Sequence, residues 1–351
     1  MASTEPDDDA APGWEAIDAA LAPLYGEQEP KHYAALLPMR LGGDEPLQGI
    51  SVYSRMEPIP HFHYVTYGFS DLFGEGEAGG DFSGFGFELT FRLKANDPTA
   101  EPPSWPLNLL QNLAKYVFKS GNFFESGHHL NCNGPIALDT DMEIAFIAFA
   151  PDPELGSIDT PQGRVDFLQI VGLVADEYET IKHWRTDRLL AILERQYPLL
   201  ITDLARGSIL RDPAIAAEVS KAASQEGSLQ QSVFAMLNHF TRQGDTVCLE
   251  QSANVIGDLL LMFDNQLMQG KPCSVLGKPH VTEFVPGDDN QWSVNDDVLT
   301  VQLSAALTQE IRRTLKIERG EYRWDALPGF VLEVVPTEIK DQDGRIVAVI
   351  G

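Results

Sequence analysis

The chain has 351 residues, 43 % of them hydrophobic, and carries 25 basic against 52 acidic side chains for a formal net charge of −27. That composition can fill a substantial core and argues against wholesale disorder. A field of that sign repels nucleic-acid phosphates and anionic lipid and attracts basic partners, so neither nucleic acid nor membrane is expected as a partner.

Residues 1–11 read as a disordered acidic arm, and residues 1–30 hold eight acids and no lysine or arginine. Ala16–Leu24 reads as a short helix. His61–Phe69 (HFHYVTYGF) is a strand apolar on both faces, as in the middle of a sheet. Across Gly84–Lys94, Phe85, Phe87, Leu89, Phe91 and Leu93 alternate with small or polar residues, which puts five large apolar side chains on one face. Asn96-Asp97-Pro98 and Pro102-Pro103 end that strand. Ser104 can then cap a helix with Pro106 in its first turn and Leu109, Leu110, Leu113, Tyr116 and Val117 as its apolar stripe. Gly121 suits the residue just past the helix end. Ile144–Phe149 and Val165–Val174 are further strands, Glu177–His183 and Arg188–Gln196 are helices with Asp187 as a cap between them, and Leu199–Leu204 is a closing strand. Residues 211–230 form a partly helical connector.

Beyond the connector, Val255–Leu267 and Ala305–Leu315 read as helices. Strands are predicted at Ser274–Leu276, Val281–Val285, Val298–Leu303, Phe330–Val335 and Arg345–Ile350, the last two joined as a hairpin through an Asp343-Gly344 turn. Strands and helices do not alternate strictly. The expected class is therefore α+β, with two domains, 12–210 and 231–351, each a mixed sheet packed with helices and with a cleft between them.

No apolar run is long enough to span a bilayer, and the N-terminus lacks the basic and apolar regions of a secretory signal. Cys132, Cys248 and Cys273 make no C-x-x-C and no paired framework, so a reducing cytoplasm is the expected location. No P-loop, H-E-x-x-H, G-x-S-x-G or EF-hand loop occurs. Gly84-Phe85-Gly86 begins like a dinucleotide fingerprint, but Phe87-Glu88-Leu89-Thr90 continues a strand where that motif needs a helix. His61 and His63 share one face of a strand, and His128 and His129 lie in a loop near Cys132. If these segments met they could hold zinc or serve an enzyme, although the usual ligand spacings are missing. Asp203 follows an apolar segment, where an aspartate commonly bonds its own turn. These residues point to no cofactor.

The stretch His61–Leu72 (HFHYVTYGFSDL) resembles the H-W-H-Y-x-x-x-G-x-S-D-L block of the Suppressor of fused family. Gly84–Lys94 resembles its G-F-G-F-E-L-T-F-R-L-K, and Pro102–Ser120 its P-P-[ST]-W-P helix running to R-Y-V-F-x-S. Thr160-Pro161, Phe167–Gly172 and Leu200–Asp203 are similar to later blocks, so the resemblance covers about 12–210. The second segment looks like the shorter second domain of bacterial members. The resemblance implies a binding protein and no enzyme: one that sequesters a protein or peptide in the cleft between its domains by strand addition. It implies Tyr116, Phe124 and His128 as partner-binding positions. The animal members carry an aspartate where His128 stands, so their transcription-factor recognition is not expected to transfer. For bacterial members the implied role is an immunity protein that neutralises a polymorphic toxin, and a basic toxin would suit the net charge. The oligomeric state is not legible.

Overall fold

The computed structural model describes the chain except residues 1–10, 36, 38, 40, 41, 77, 78, 138–141, 229, 230 and 341–344. Most of the expected acidic arm, and the expected Asp343-Gly344 turn, therefore lie outside the described residues. The chain divides into two compact units, one of residues 1–178 and 186–217, the other of 179–185 and 218–351. Both mix strands and helices, as the α+β reading requires.

In chain order the first unit contains α1 (Pro12–Tyr25), β1 (Lys31–Ala34), β2 (Gly49–Arg55), β3 (His61–Tyr67), β4 (Phe82–Lys94), α2 (Trp105–Ser120), β5 (His129–Asn131), β6 (Phe146–Pro151), β7 (Ser157–Thr160) and β8 (Gly163–Leu173). Next come α3 (Ala175–His183), whose last turn belongs to the second unit, and α4 (Thr186–Glu194). The helix α5 (Pro213–Glu226), in the expected connector, carries the chain from one unit into the other. The strands make one eight-stranded sheet in the order β1-β2-β3-β4-β8-β6-β5, with β7 also on β8. β4 and β8 run parallel, and the other pairs are antiparallel.

The period-two pattern gives this sheet two covered faces. Phe62 and Tyr64 of β3, Leu89, Phe91 and Leu93 of β4 and Ile147 and Phe149 of β6 pack with Leu110, Leu113, Ala114 and Val117 of α2. On the other face Val65 and Tyr67 of β3 pack with Ile17 and Leu21 of α1. Burying one such aliphatic or aromatic side chain is worth about 1.5–3 kcal/mol, so the two helices fix the sheet from both sides. All seven residues of β3 are buried, as its two-faced apolar pattern predicts.

The face under α1 also holds a charged network. Arg92, fully buried, reaches Asp152 with Nη1–Oδ2 at 2.5 Å and Nη2–Oδ1 at 3.1 Å, and Glu154 Oε2 at 2.9 Å. Arg55 meets both Glu154 oxygens at 2.6 Å. Thr90 Oγ1 and the N–H groups of Glu154 and Leu155 donate to Asp152 as well. Tyr25 at the end of α1 shares a 2.6 Å hydrogen bond with His63 Nδ1. Burial alone would raise the Asp152 carboxyl, but His63 and Arg92 hold it well below its ordinary range.

Several sequence expectations are corrected. Ser104 precedes α2 but its side chain makes no capping bond, because its backbone is already helical (φ −84°, ψ −19°). Leu199–Leu204 is no strand: Leu199 and Leu200 have φ of 54° and 52°, and only Thr202 bridges to Leu93. Gly121, by contrast, takes the left-handed conformation (φ 68°) and donates to Val117 O, as expected.

The second unit contains β9 (Ser232–Phe234), β10 (Asn238–Gln243), β11 (Thr246–Ser252), α6 (Ala253–Asn265), β12 (Cys273–Leu276), β13 (Val281–Pro286), β14 (Gln291–Asn295), β15 (Val298–Leu303), α7 (Ala305–Thr314), β16 (Gly320–Tyr322), β17 (Phe330–Val335), β18 (Thr337–Lys340) and β19 (Ile346–Ile350). They form a four-stranded sheet β10-β11-β17-β16, a five-stranded sheet β14-β15-β13-β12-β9 and a β18-β19 pair. The apolar side of α6 (Val255, Ile256, Leu259, Met262, Phe263) packs in one core with residues of both larger sheets. The expected hairpin of β17 with β19 does not form. Pro336 interrupts the chain after β17, β19 pairs β18, and β17 lies between β11 and β16.

Candidate functional site

Tyr116, Phe124 and His128 lie along the stretch where α2 hands the chain to β5. The left-handed Gly121 turns the backbone out of the helix. Ser120 Oγ donates to Tyr116 O at 2.7 Å and accepts from Asn122 N at 3.1 Å, while Asn122 Nδ2 donates to the Tyr116 hydroxyl at 3.1 Å. This wiring sets the Tyr116 ring parallel to Phe124, 5.8 Å between centroids. Phe124 in turn stacks on Phe149 of β6 at 4.3 Å. Phe124 is only 5 % exposed, so it supports the stack from beneath and presents little of its own surface.

The chain then makes a tight turn. His128 N donates to Glu125 O, and Glu125 N donates to His128 Nδ1, each at 3.1 Å. Because Nδ1 accepts, the neutral ring carries its proton on Nε2, which lies 3.7 Å from Glu125 Oε2. Burial holds the His128 pKa below its ordinary value, the nearby Glu125 charge opposing, so the ring is neutral at pH 7. Gly127 N donates to Phe149 O, and Thr186 Oγ1 at the start of α4 donates to Gly127 O. His128 O accepts from Phe149 N, and Cys132 N donates to Ala145 O. Main-chain groups alternate along a strand, so those of His129 and Asn131 point away from β6. Among the described residues β5 ends the sheet order, so it is an edge strand there.

The four histidines raised by the sequence do not assemble. His61 and His63 lie on β3, four strand steps from β5, about 19 Å at the usual strand spacing. Burial brings both pKa values down to about 4, with Arg92 lowering His63 further, so both are neutral at pH 7. Among the described residues no group of three or more His, Cys, Asp or Glu is arranged to hold a metal ion. Asp203 takes the structural role: it accepts from Lys94 Nζ at 2.7 Å and from Ala205 N at 3.0 Å.

Two residues here escaped the sequence reading. Phe123 is 49 % exposed and the Glu125 side chain 64 % exposed, on either side of the buried Phe124. Alternation would have placed them together, but two successive phenylalanines do not announce which one faces inward. Among the described residues no helix is long and apolar enough to cross a membrane.

The family model for the Suppressor of fused protein (SUFU) matches residues 43–207, a span that includes β2 to β8 and this whole edge. The Suppressor of fused homologs of Mus musculus and Homo sapiens are each 38 % identical over 234 residues, 62 % of this chain and 48 % of theirs. The chain thus spans about half the length of these relatives. The crystal structure of Drosophila Suppressor of Fused shares the fold, with a TM-score of 0.72 over 95 % of this chain and 99 % of that one at 24 % identity. A chain of the Sufu–Fu complex crystal structure matches at 33 % identity and a TM-score of 0.57, over 61 % of this chain and 98 % of that one. Matched in profile over residues 43–207, and in sequence and fold over about three fifths of its length, the protein belongs to the Suppressor of fused family.

Proposed function

We propose that this protein is a non-enzymatic binding module that holds an extended segment of a protein partner by adding it as a strand to the outer edge of β5, with Tyr116, Phe124 and His128 forming and supporting the contact. The edge position of β5 carries the reading: among the described residues β5 ends the sheet order, and the main-chain groups of Asn131 point away from β6. In such recognition main-chain hydrogen bonds supply affinity and neighbouring side chains supply choice. The similar chain in the Sufu–Fu complex supports a protein as the partner. The charge of −27 supports a basic partner over nucleic acid, and a basic toxin neutralised by an immunity protein is the narrower form of this reading. Three free cysteines support a reducing, cytoplasmic setting.

The test is amide hydrogen exchange on the full chain, with and without the protein that co-purifies with it at near-equal stoichiometry. New protection at residues 128–131 is expected, together with about tenfold weaker binding for Tyr116→Ala and His128→Ala in variants whose melting is retained. Unchanged exchange at those amides in the complex sinks the reading.

A further inference from the structure

In the second unit a side chain stands where a neighbouring strand would otherwise be. Among the described residues β10 ends the order of the four-stranded sheet. Phe240 N on β10 donates to His280 Nδ1 at 3.0 Å, so an imidazole closes that point of the sheet edge. The ring lies nearly parallel to Phe240, 4.0 Å between centroids, and to His239, 4.7 Å. His280 belongs to the turn between β12 and β13, and the backbone of that turn is held separately. Its carbonyl accepts from Asn238 Nδ2 at 2.8 Å and from Gly277 N at 3.1 Å. Asn238 is itself buried; it also donates to Val275 O and accepts from Gln251 and Thr282. The ring contact therefore can be lost without the turn leaving β10. That contact works in one protonation state. Because Nδ1 accepts, the neutral ring carries its proton on Nε2. An imidazolium has an N–H on both nitrogens, and a hydroxyl partner could rotate to accept from it. The backbone N–H of Phe240 cannot.

We infer that His280 is a proton-sensitive cap on the edge of β10: neutral, it closes the Phe240 N–H, and protonated, it swings off and opens that edge while the turn behind it stays docked. The ionisable groups around the ring are His239 on β10, Glu250 opposite His239 on β11, Asp297 between β14 and β15, and Lys278 in the same turn. Burial lowers the His280 pKa from its ordinary 6.5, His239 lowers it further, and Asp297 opposes them. A released ring has lost those contacts and takes up its proton near 6.5. Above that value both forms are neutral and the cap holds fully. As pH falls from 6.5 toward the capped value, the open form binds more protons. The ratio of open to closed then grows by up to about tenfold per pH unit. What opens is the main chain of an edge strand and the face of Phe240, which is buried beneath the ring. A closed edge at neutral pH keeps this strand from pairing with other chains.

The test is a nuclear magnetic resonance titration of the full chain from about pH 8 to about pH 5. Ring nitrogen shifts of His280 should show the Nε2–H form at the upper end and a midpoint below 6.5. The Phe240 amide should shift with the same midpoint. Its protection factor should fall by about threefold or more between about pH 7.5 and about pH 5.5, while the amides of β11 and β17 keep their shifts. Asp297→Asn removes the charge that favours the imidazolium and should move both midpoints down together; His239→Asn should move both up. His280→Phe keeps a ring without an acceptor and should leave the Phe240 N–H weakly protected across the whole range. Should that variant not fold, the two midpoint shifts decide. A Phe240 amide that stays in place while the ring titrates, or a ring that titrates at 6.5 or above, overturns the inference. Loss of the β11 and β17 signals in the same step overturns it too, because the unit would then be melting as a whole.

Discussion

Asp152→Asn should destabilise the first unit by about 3–5 kcal/mol, the usual cost of stripping the partner from a buried charge. The magnitude follows from the geometry around the carboxylate. Oδ1 accepts from Glu154 N at 2.9 Å, Leu155 N at 3.0 Å and Arg92 Nη2 at 3.1 Å. Oδ2 accepts from Arg92 Nη1 at 2.5 Å and Thr90 Oγ1 at 2.7 Å. An asparagine can keep one oxygen for the first set, but its NH2 then faces a guanidinium that cannot accept. Thr90 can rotate its hydroxyl; Arg92, with no exposed surface, cannot leave. Glu154 is the remaining carboxylate on Arg92, through a single 2.9 Å contact shared with Arg55. The assay is amide exchange at β4 and β6 through a urea series, which isolates the first unit from the second. The paired variant Arg92→Met with Asp152→Leu should recover most of the loss, since buried ion pairs exchange for apolar groups at little net cost. A shift below about 1 kcal/mol for Asp152→Asn would show that the Arg92 charge is satisfied without this partner and would refute the reasoning.

Stability should fall as pH drops from about 6.5 toward 4. His61 and His63 titrate at about 4 in the folded chain, so the unfolded chain binds more protons throughout that window, and each histidine contributes at most about 3 kcal/mol of loss by its lower end. The buried Glu88, whose pKa is raised by desolvation, acts in the opposite sense above its ordinary value and softens the slope. Ring carbon shifts of the two histidines check this directly, and a folded-state titration near pH 6.5 would contradict it. Gly84→Ala should cost about 2–4 kcal/mol and Gly79→Ala about 1 kcal/mol, by thermal unfolding. Both have positive φ, but an added Cβ at Gly84 would stand 2.6 Å from Phe69 O, while at Gly79 none of the described residues lies within 4 Å. Equal losses would show that backbone conformation alone matters at Gly84.

The elements that sequence made legible are those whose pattern is repeated by packing. β3, β4, β8 and α2 have long periodic runs, and their faces meet the two cores as the alternation predicts. The short edge strands β1, β5 and β7 were not predicted, since three or four residues carry no period to read. Leu199–Leu204 misled because its aliphatic run looks like a strand, while positive φ at Leu199 and Leu200 ends any ladder before it starts. In the candidate site, the three named positions were found through family resemblance; Tyr116 and Phe124 stack on each other, while His128 bonds the backbone of Glu125. Their exposure was not legible: Phe124 is covered and Phe123 is not, a distinction set by which phenylalanine meets Phe149.

The passage of the chain between its two units has a practical consequence for anyone cutting it apart. Residues 179–185 belong with 218–351, although the first unit resumes at 186. Within that short insert Trp184 is 2 % exposed and its Nε1 donates to Glu226, while Lys182 pairs with Asp258 at 3.1 Å. No single cut yields two whole pieces. A fragment ending near residue 217 would expose an indole that its own remaining sequence cannot cover, and a fragment beginning there would have a Trp184-shaped gap. Poor behaviour of either half on its own would therefore report on the path of the backbone, and would say nothing against the binding edge proposed at β5.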